Sequence, residues 1–183
     1  METISKNIKL IIAMVLGILL ILMGINTLPA GGAGTAFGVI ELILGILAVI
    51  AGLIPLVVKC EGLEAAFLMI LTMIVPIYYL VADIITLCNG AAEFFEIVDW
   101  ILTILRMVAS VGVITFVIVY ACSKQESVAK IGQIMSAVLL AILLIDIVLG
   151  GTVGNISLIA VIFLASFGVL SYKFFGPMDI LKK

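Results

Sequence analysis

The sequence predicts an all-α, polytopic membrane protein, a single transmembrane domain over residues 1–183 with six transmembrane helices arranged as three antiparallel hairpins. Three observations point there. First, the chain is 66% hydrophobic and 11% charged, whereas soluble domains are roughly 45–50% apolar and roughly 25% charged. A globule of 183 residues leaves much of its surface in water and could not hide that apolar area, so lipid is the solvent for most of the chain. Second, the apolar residues form six continuous runs, about 8–28, 37–58, 64–87, 98–121, 129–149 and 155–175. Each is long enough to cross a hydrocarbon core of about 30 Å at about 1.5 Å per residue. Third, the cations are sorted by loop. Lys6 and Lys9 precede the first run, Lys59 follows the second, Lys124 and Lys130 lie between the fourth and fifth, and Lys173, Lys182 and Lys183 close the chain. With six spans, all eight fall on one side, so both termini are expected in the cytoplasm of a cell's inner or plasma membrane.

Helices are the only regular structure these runs can adopt in lipid, because each backbone N–H and C=O must be paired within its own segment. A membrane barrel would need alternating strands of about 10 residues. The first run has the basic flank of a signal peptide, but it is too long and lacks a small-x-small cleavage site before a soluble domain. It therefore reads as a retained helix. Its small residues Ala13, Gly17, Gly24 and Thr27 share one face. The second run, FGVIELILGILAVIAG at 37–52, repeats glycine every seven residues at Gly38, Gly45 and Gly52, with Glu41 and Ala48 between them and Pro55 beyond. A seven-residue repeat keeps one helix face, drifting about 20° per heptad. Lipid gives helices no hydrophobic reason to associate, so small residues that allow close backbone approach drive it instead. The two stripes are expected to meet across the PAGGAGTA loop, 29–36.

The third helix carries Thr72, Pro76, Tyr79, Asp83 and Thr86 on one face, with Pro76 expected to kink it near mid-membrane. The acidic loop CNGAAEFFEIV follows. Phe94 and Phe95 are expected at the lipid interface, with Trp100 just below. The fourth helix aligns Asp99, Thr103, Arg106 and Ser110. The fifth places Asp146 about one turn from its outer end, before the GGTVG turn at 150–154 that leads into the sixth.

With the lysine-derived orientation, Glu41, Asp83, Asp99, Arg106 and Asp146 all fall in the outer half of the membrane, and Tyr79 lies one turn from Asp83. Arg106 is the deepest, about 10 Å below the boundary. An intramembrane Arg costs about 2.5–3.5 kcal/mol to insert, so it should be paired, with Asp83, Asp146 or Glu41 as the candidates. One reading makes this an ion-pair network that sets helix register. The other makes it a vestibule, open outward, for a proton, a cation or a small polar molecule.

Other chemistry is not supported. There is no histidine, and no nucleophile stands beside a base, so the chain does not read as an enzyme. Cys60 and Cys122 fall on the reducing side and Cys88 on the other, so no intramolecular disulfide is expected. Three isolated cysteines do not make a metal site, and no cofactor or nucleic-acid signature is present.

The pattern GILLILMGI at 17–25, a Pro-containing turn, then GILAVIAGLIPLV at 45–57 resembles the repeated hairpin of the HdeD-like acid-resistance membrane proteins. The terminal hairpins are weakly alike, with ILLI at 18–21 and again at 142–145. The resemblance covers mainly residues 8–58. It implies a six-helix inner-membrane protein with a structural or stress-related role. Ala13-x-x-x-Gly17 also looks like the docking stripe in the substrate-binding subunits of energy-coupling-factor vitamin transporters. That likeness implies a transport function and a membrane partner. Small-residue stripes also serve association between identical chains, so a homo-oligomer is a further expectation.

Overall fold

Among the described residues, the apolar runs fold as helices. The computed structural model describes residues 2–57, 61–88, 97–150 and 158–176. They form α1 (Glu2–Thr27), α2 (Ala33–Val57), α3 (Glu61–Cys88), α4 (Ile97–Ser123), α5 (Glu126–Gly150) and α6 (Leu158–Phe175). All six are long and apolar enough to cross a membrane. The acidic loop with Phe94 and Phe95, most of the GGTVG turn, Lys59, Cys60, Lys182 and Lys183 lie outside the described residues.

The first turn is tighter than the sequence suggests. The second helix is expected from about residue 37, yet α2 begins at Ala33. Chain reversal needs only a single 3-10 turn, Leu28–Ala30, and two left-handed glycines, Gly31 at φ 74° and Gly32 at φ 53°. These φ values favour glycine, which has no Cβ to clash. The Gly34 amide then donates to the Gly31 carbonyl at 3.1 Å and the Ala36 amide to the Gly32 carbonyl at 3.3 Å. Helix therefore starts where its first hydrogen bonds can close. At the α4–α5 junction Lys124 takes the left-handed position (φ 54°), its amide donating to the Tyr120 carbonyl at 2.9 Å.

Large apolar side chains line the outside of these helices. Ile11, Val15, Ile18, Leu22 and Ile25 form the exposed stripe of α1, while Ala13, Leu16 and Leu20 on its other face are fully buried. Val39, Ile43, Ile46 and Ile50 do the same for α2. Exposed apolar stripes of this extent suit lipid, not water.

The chain divides into two compact units, residues 1–74 and 75–183, the boundary falling inside α3 just before Pro76. In the first unit α1 packs antiparallel on α2, and the glycine stripes make that contact. A Cβ on Gly17 would come within 2.8 Å of the Gly45 carbonyl oxygen, and one on Gly24 within 2.7 Å of the Gly38 carbonyl oxygen. A Cβ on Gly52 would sit 2.5 Å from the Ala13 Cβ. Backbone thus touches backbone, and no larger residue fits. Lys9 pairs with Glu64 of α3 at 3.1 Å.

In the second unit the closest helix packing is α4 on α5 and α5 on α6. Gly112 leaves room for the Met135 side chain, and Gly132 for the Phe175 ring. The remaining α3 residues join through side chains. Tyr78 packs edge-on against Phe163 of α6, centroids 5.0 Å apart, and Asp83 bonds to Arg106 of α4. The α3–α4 hairpin of the sequence reading is therefore a polar junction, while α4 takes its close backbone contact from α5.

Candidate functional site

Arg106 lies nine residues into α4, counted from Ile97, about 14 Å along the axis. Asp83 is five residues from the end of α3 and Asp146 four from the end of α5, about 8 Å and about 6 Å in. The mismatch in depth is closed by side-chain direction. Helical side chains tilt toward their own N-terminus. Arg106 therefore reaches from depth toward the near end, and the two aspartates, on helices of opposite direction, lean inward to meet it.

The Arg106 Nε–H donates to Asp83 Oδ2 at 2.9 Å. Its Nη2 donates to Asp83 Oδ1 and its Nη1 to Asp146 Oδ2. Asp83 thus receives the two-pronged contact that a planar guanidinium is shaped to make. The Tyr79 ring lies 5.5 Å from the guanidinium carbon, close enough for a cation–π contact. Tyr79 in turn meets Tyr78 edge-on, at 5.4 Å. The site is graded in exposure: the Asp83 side chain is 4% exposed, that of Arg106 15% and that of Asp146 32%. One guanidinium faces two carboxylates, which leaves one negative charge over, and Asp146 is the member nearest the surroundings.

Of the sequence-predicted cluster, the structure brings together Asp83, Arg106, Asp146 and Tyr79. Glu41 has a separate place in the first unit. It is buried on α2, where its Oε2 accepts a hydrogen bond from the Thr27 hydroxyl at 2.6 Å. Gly38 makes this possible: a Cβ there would lie 2.9 Å from the Thr27 Oγ1. Asp99 is exposed in the first turn of α4, ahead of the site. Thr72 and Thr86, on the same face as Asp83, each donate to a carbonyl four residues back, at 2.8 Å. Ser110, one turn deeper than Arg106, is fully buried. Among the described residues, no three Cys, Asp or Glu side chains gather as they would around a metal ion.

The packing residues Ala13, Gly17, Gly24, Gly38, Gly45 and Gly52 all lie in the α1–α2 contact. Ala13 is completely covered there. The Ala13-x-x-x-Gly17 stripe is thus covered by α2. Sequence reasoning missed the roles of Thr27 and Phe163. Thr27 was legible as a member of the α1 stripe, but its bond to Glu41 depends on the short turn. Phe163 carried no signal, being one apolar residue among many.

No family model, curated protein or solved structure matches this chain.

Proposed function

We propose that this is a non-enzymatic integral membrane protein of the stress-related kind that the HdeD-like resemblance implies, and that the Arg106 network is its proton-binding element. Its place is the inner or plasma membrane, with both termini in the cytoplasm and the network in the outer half. The observation that carries this reading is the pairing of one membrane-embedded guanidinium with two carboxylates from two other helices. A surplus charge is costly in a low-dielectric setting, and a proton on Asp146 removes it. Asp83, held by two bonds and nearly sealed, keeps Arg106 in place. Asp146, a third exposed and held by one, is the carboxylate that exchanges. It faces Arg106 from α4, which itself faces Asp83 and Tyr79 from α3; the described part of α6 brings no titratable side chain to this end, its Tyr172 and Lys173 lying at the other.

Infrared difference spectroscopy on the protein in lipid, stepped from neutral to acidic pH, tests this. The expected result is a protonated-carboxyl band that disappears in Asp146→Asn and persists in Asp99→Asn. A band unchanged in Asp146→Asn overturns the reading. So does a network that responds to sodium or potassium and not to acid.

A further inference from the structure

A second feature of the 75–183 unit lies toward the other end of its helices. A crevice of about 160 Å³ opens between α5 and α6, lined among others by Gln133, Ser136, Leu140, Gly168, Ser171 and Tyr172. The wall is mostly apolar, and most of its polar groups are engaged. The Gln133 side-chain amide donates to the Phe175 and Gly176 carbonyls at 3.1 and 2.9 Å, closing the end of α6. The Ser171 hydroxyl donates to the Gly168 carbonyl at 3.2 Å. Among the buried polar side chains of the wall, Ser136 is the exception. It is 3% exposed, and its hydroxyl has no hydrogen-bond partner. An unmet buried hydrogen bond is costly, more so where no water is at hand. Glycine provides the width: a Cβ on Gly168 would meet nothing nearer than the Leu140 methyls at 3.8 Å.

The level of the crevice identifies what reaches it. Tyr120, Phe174 and Phe175 form an aromatic cluster at this end, with Lys124 5.5 Å from the Tyr120 ring centroid. Aromatic rings with flanking lysines mark the boundary between membrane and water. Ser136 lies one turn beyond Gln133, about 5 Å deeper. The interfacial layer on each side of a bilayer is about 5–8 Å thick, so Ser136 stands at its inner edge, where lipid ester carbonyls offer acceptors. Below it the wall turns apolar, with Leu140 and Gly168. An apolar cavity of about 150 Å³ holds a benzene, so this one takes about the first six carbons of an acyl chain. Among the described residues toward this end of α4, α5 and α6, Lys130 pairs with Glu126 at 2.9 Å, and Lys124 and Lys173 make the balance basic, which favours an anionic headgroup.

We propose that the α5–α6 crevice is a binding site for one anionic glycerophospholipid, an ester carbonyl accepting from the Ser136 hydroxyl and the head of one acyl chain lying along Leu140 and Gly168. This is independent of the Arg106 network.

The test uses the full chain in nanodiscs containing phosphatidylglycerol with a photoreactive diazirine early in one acyl chain. Labelled peptides are mapped after irradiation. The expected labels fall on residues 133–140 and 168–176. Unlabelled phosphatidylglycerol should compete at least tenfold better than phosphatidylcholine. Ser136→Ala should weaken labelling about fivefold, the worth of one net hydrogen bond, and Gly168→Leu, which fills the crevice, should abolish it. Ser136→Ala removes an unpartnered group and keeps the fold, so the test stands even where Gly168→Leu does not fold. Label spread evenly over the lipid-facing helices, equal competition by phosphatidylcholine, or unchanged labelling in Ser136→Ala overturns the site.

Discussion

Arg106 is held on two sides, and the two sides are not equal. Removing the guanidinium leaves Asp83, which is nearly sealed, without its partner. Breaking a buried pair in this way costs about 3–5 kcal/mol. Arg106→Leu is therefore expected to be severely destabilising in a denaturing-detergent titration followed by circular dichroism. Asp146→Asn, at the more open edge, should cost less than about 1 kcal/mol. The double variant Arg106→Leu with Asp83→Leu should recover most of the loss, because the charge it still leaves without a partner is only that of Asp146, whose side chain is a third exposed. Equal costs for Arg106→Leu and Asp146→Asn would show that the two contacts are equivalent and the graded site wrong. Thr27 makes the corresponding contribution in the first unit. Thr27→Val keeps the shape but removes the donor to Glu41, at an expected cost of about 1–3 kcal/mol in the same titration. A change within error would mean that the bond adds nothing.

At the scale of the helix, glycine has two different meanings in this chain. On the α1–α2 face it is a contact surface. A side chain at Gly45 would begin 2.8 Å from the Gly17 carbonyl oxygen, and that oxygen belongs to a helix backbone that cannot swing aside. Gly45→Leu should push the helices apart, costing about 1–3 kcal/mol as overpacking does and lowering the midpoint of thermal unfolding in detergent. At Gly168 the neighbours lie at ordinary contact distance. Gly168→Ala should be neutral or raise the midpoint slightly, since alanine is the better helix former by about 1 kcal/mol. If the two variants behave alike, close approach is not what the stripe provides. The seven-residue spacing marks the first kind of glycine in the sequence. No spacing marks the second, because its role depends on what lies opposite.

For the whole molecule, the testable property is orientation. Cys88 and Cys122 are free and exposed at opposite ends of the second unit. In variants that retain one cysteine each, a membrane-impermeant maleimide added to intact cells should label Cys88, whereas Cys122 should react only after permeabilisation. The reverse pattern would invert the topology and place the Arg106 network on the cytoplasmic side.

The sequence by itself determined the solvent, the number of helices, the stripe on which α1 and α2 meet, and the need for a partner to Arg106. These are properties of residues in line: hydrophobic length, periodicity, and a charge where charge is expensive. The tertiary structure alone decided which carboxylates answer Arg106. From Asp83, Asp146 and Glu41 it selected the first two and gave Glu41 to Thr27. It also set the start of α2 at Ala33 and opened a crevice beside Ser136. Those outcomes depend on helix rotation, on the tilt of side chains toward their own N-termini, and on how few residues a turn needs. None of these quantities is written in the order of apolar and polar residues.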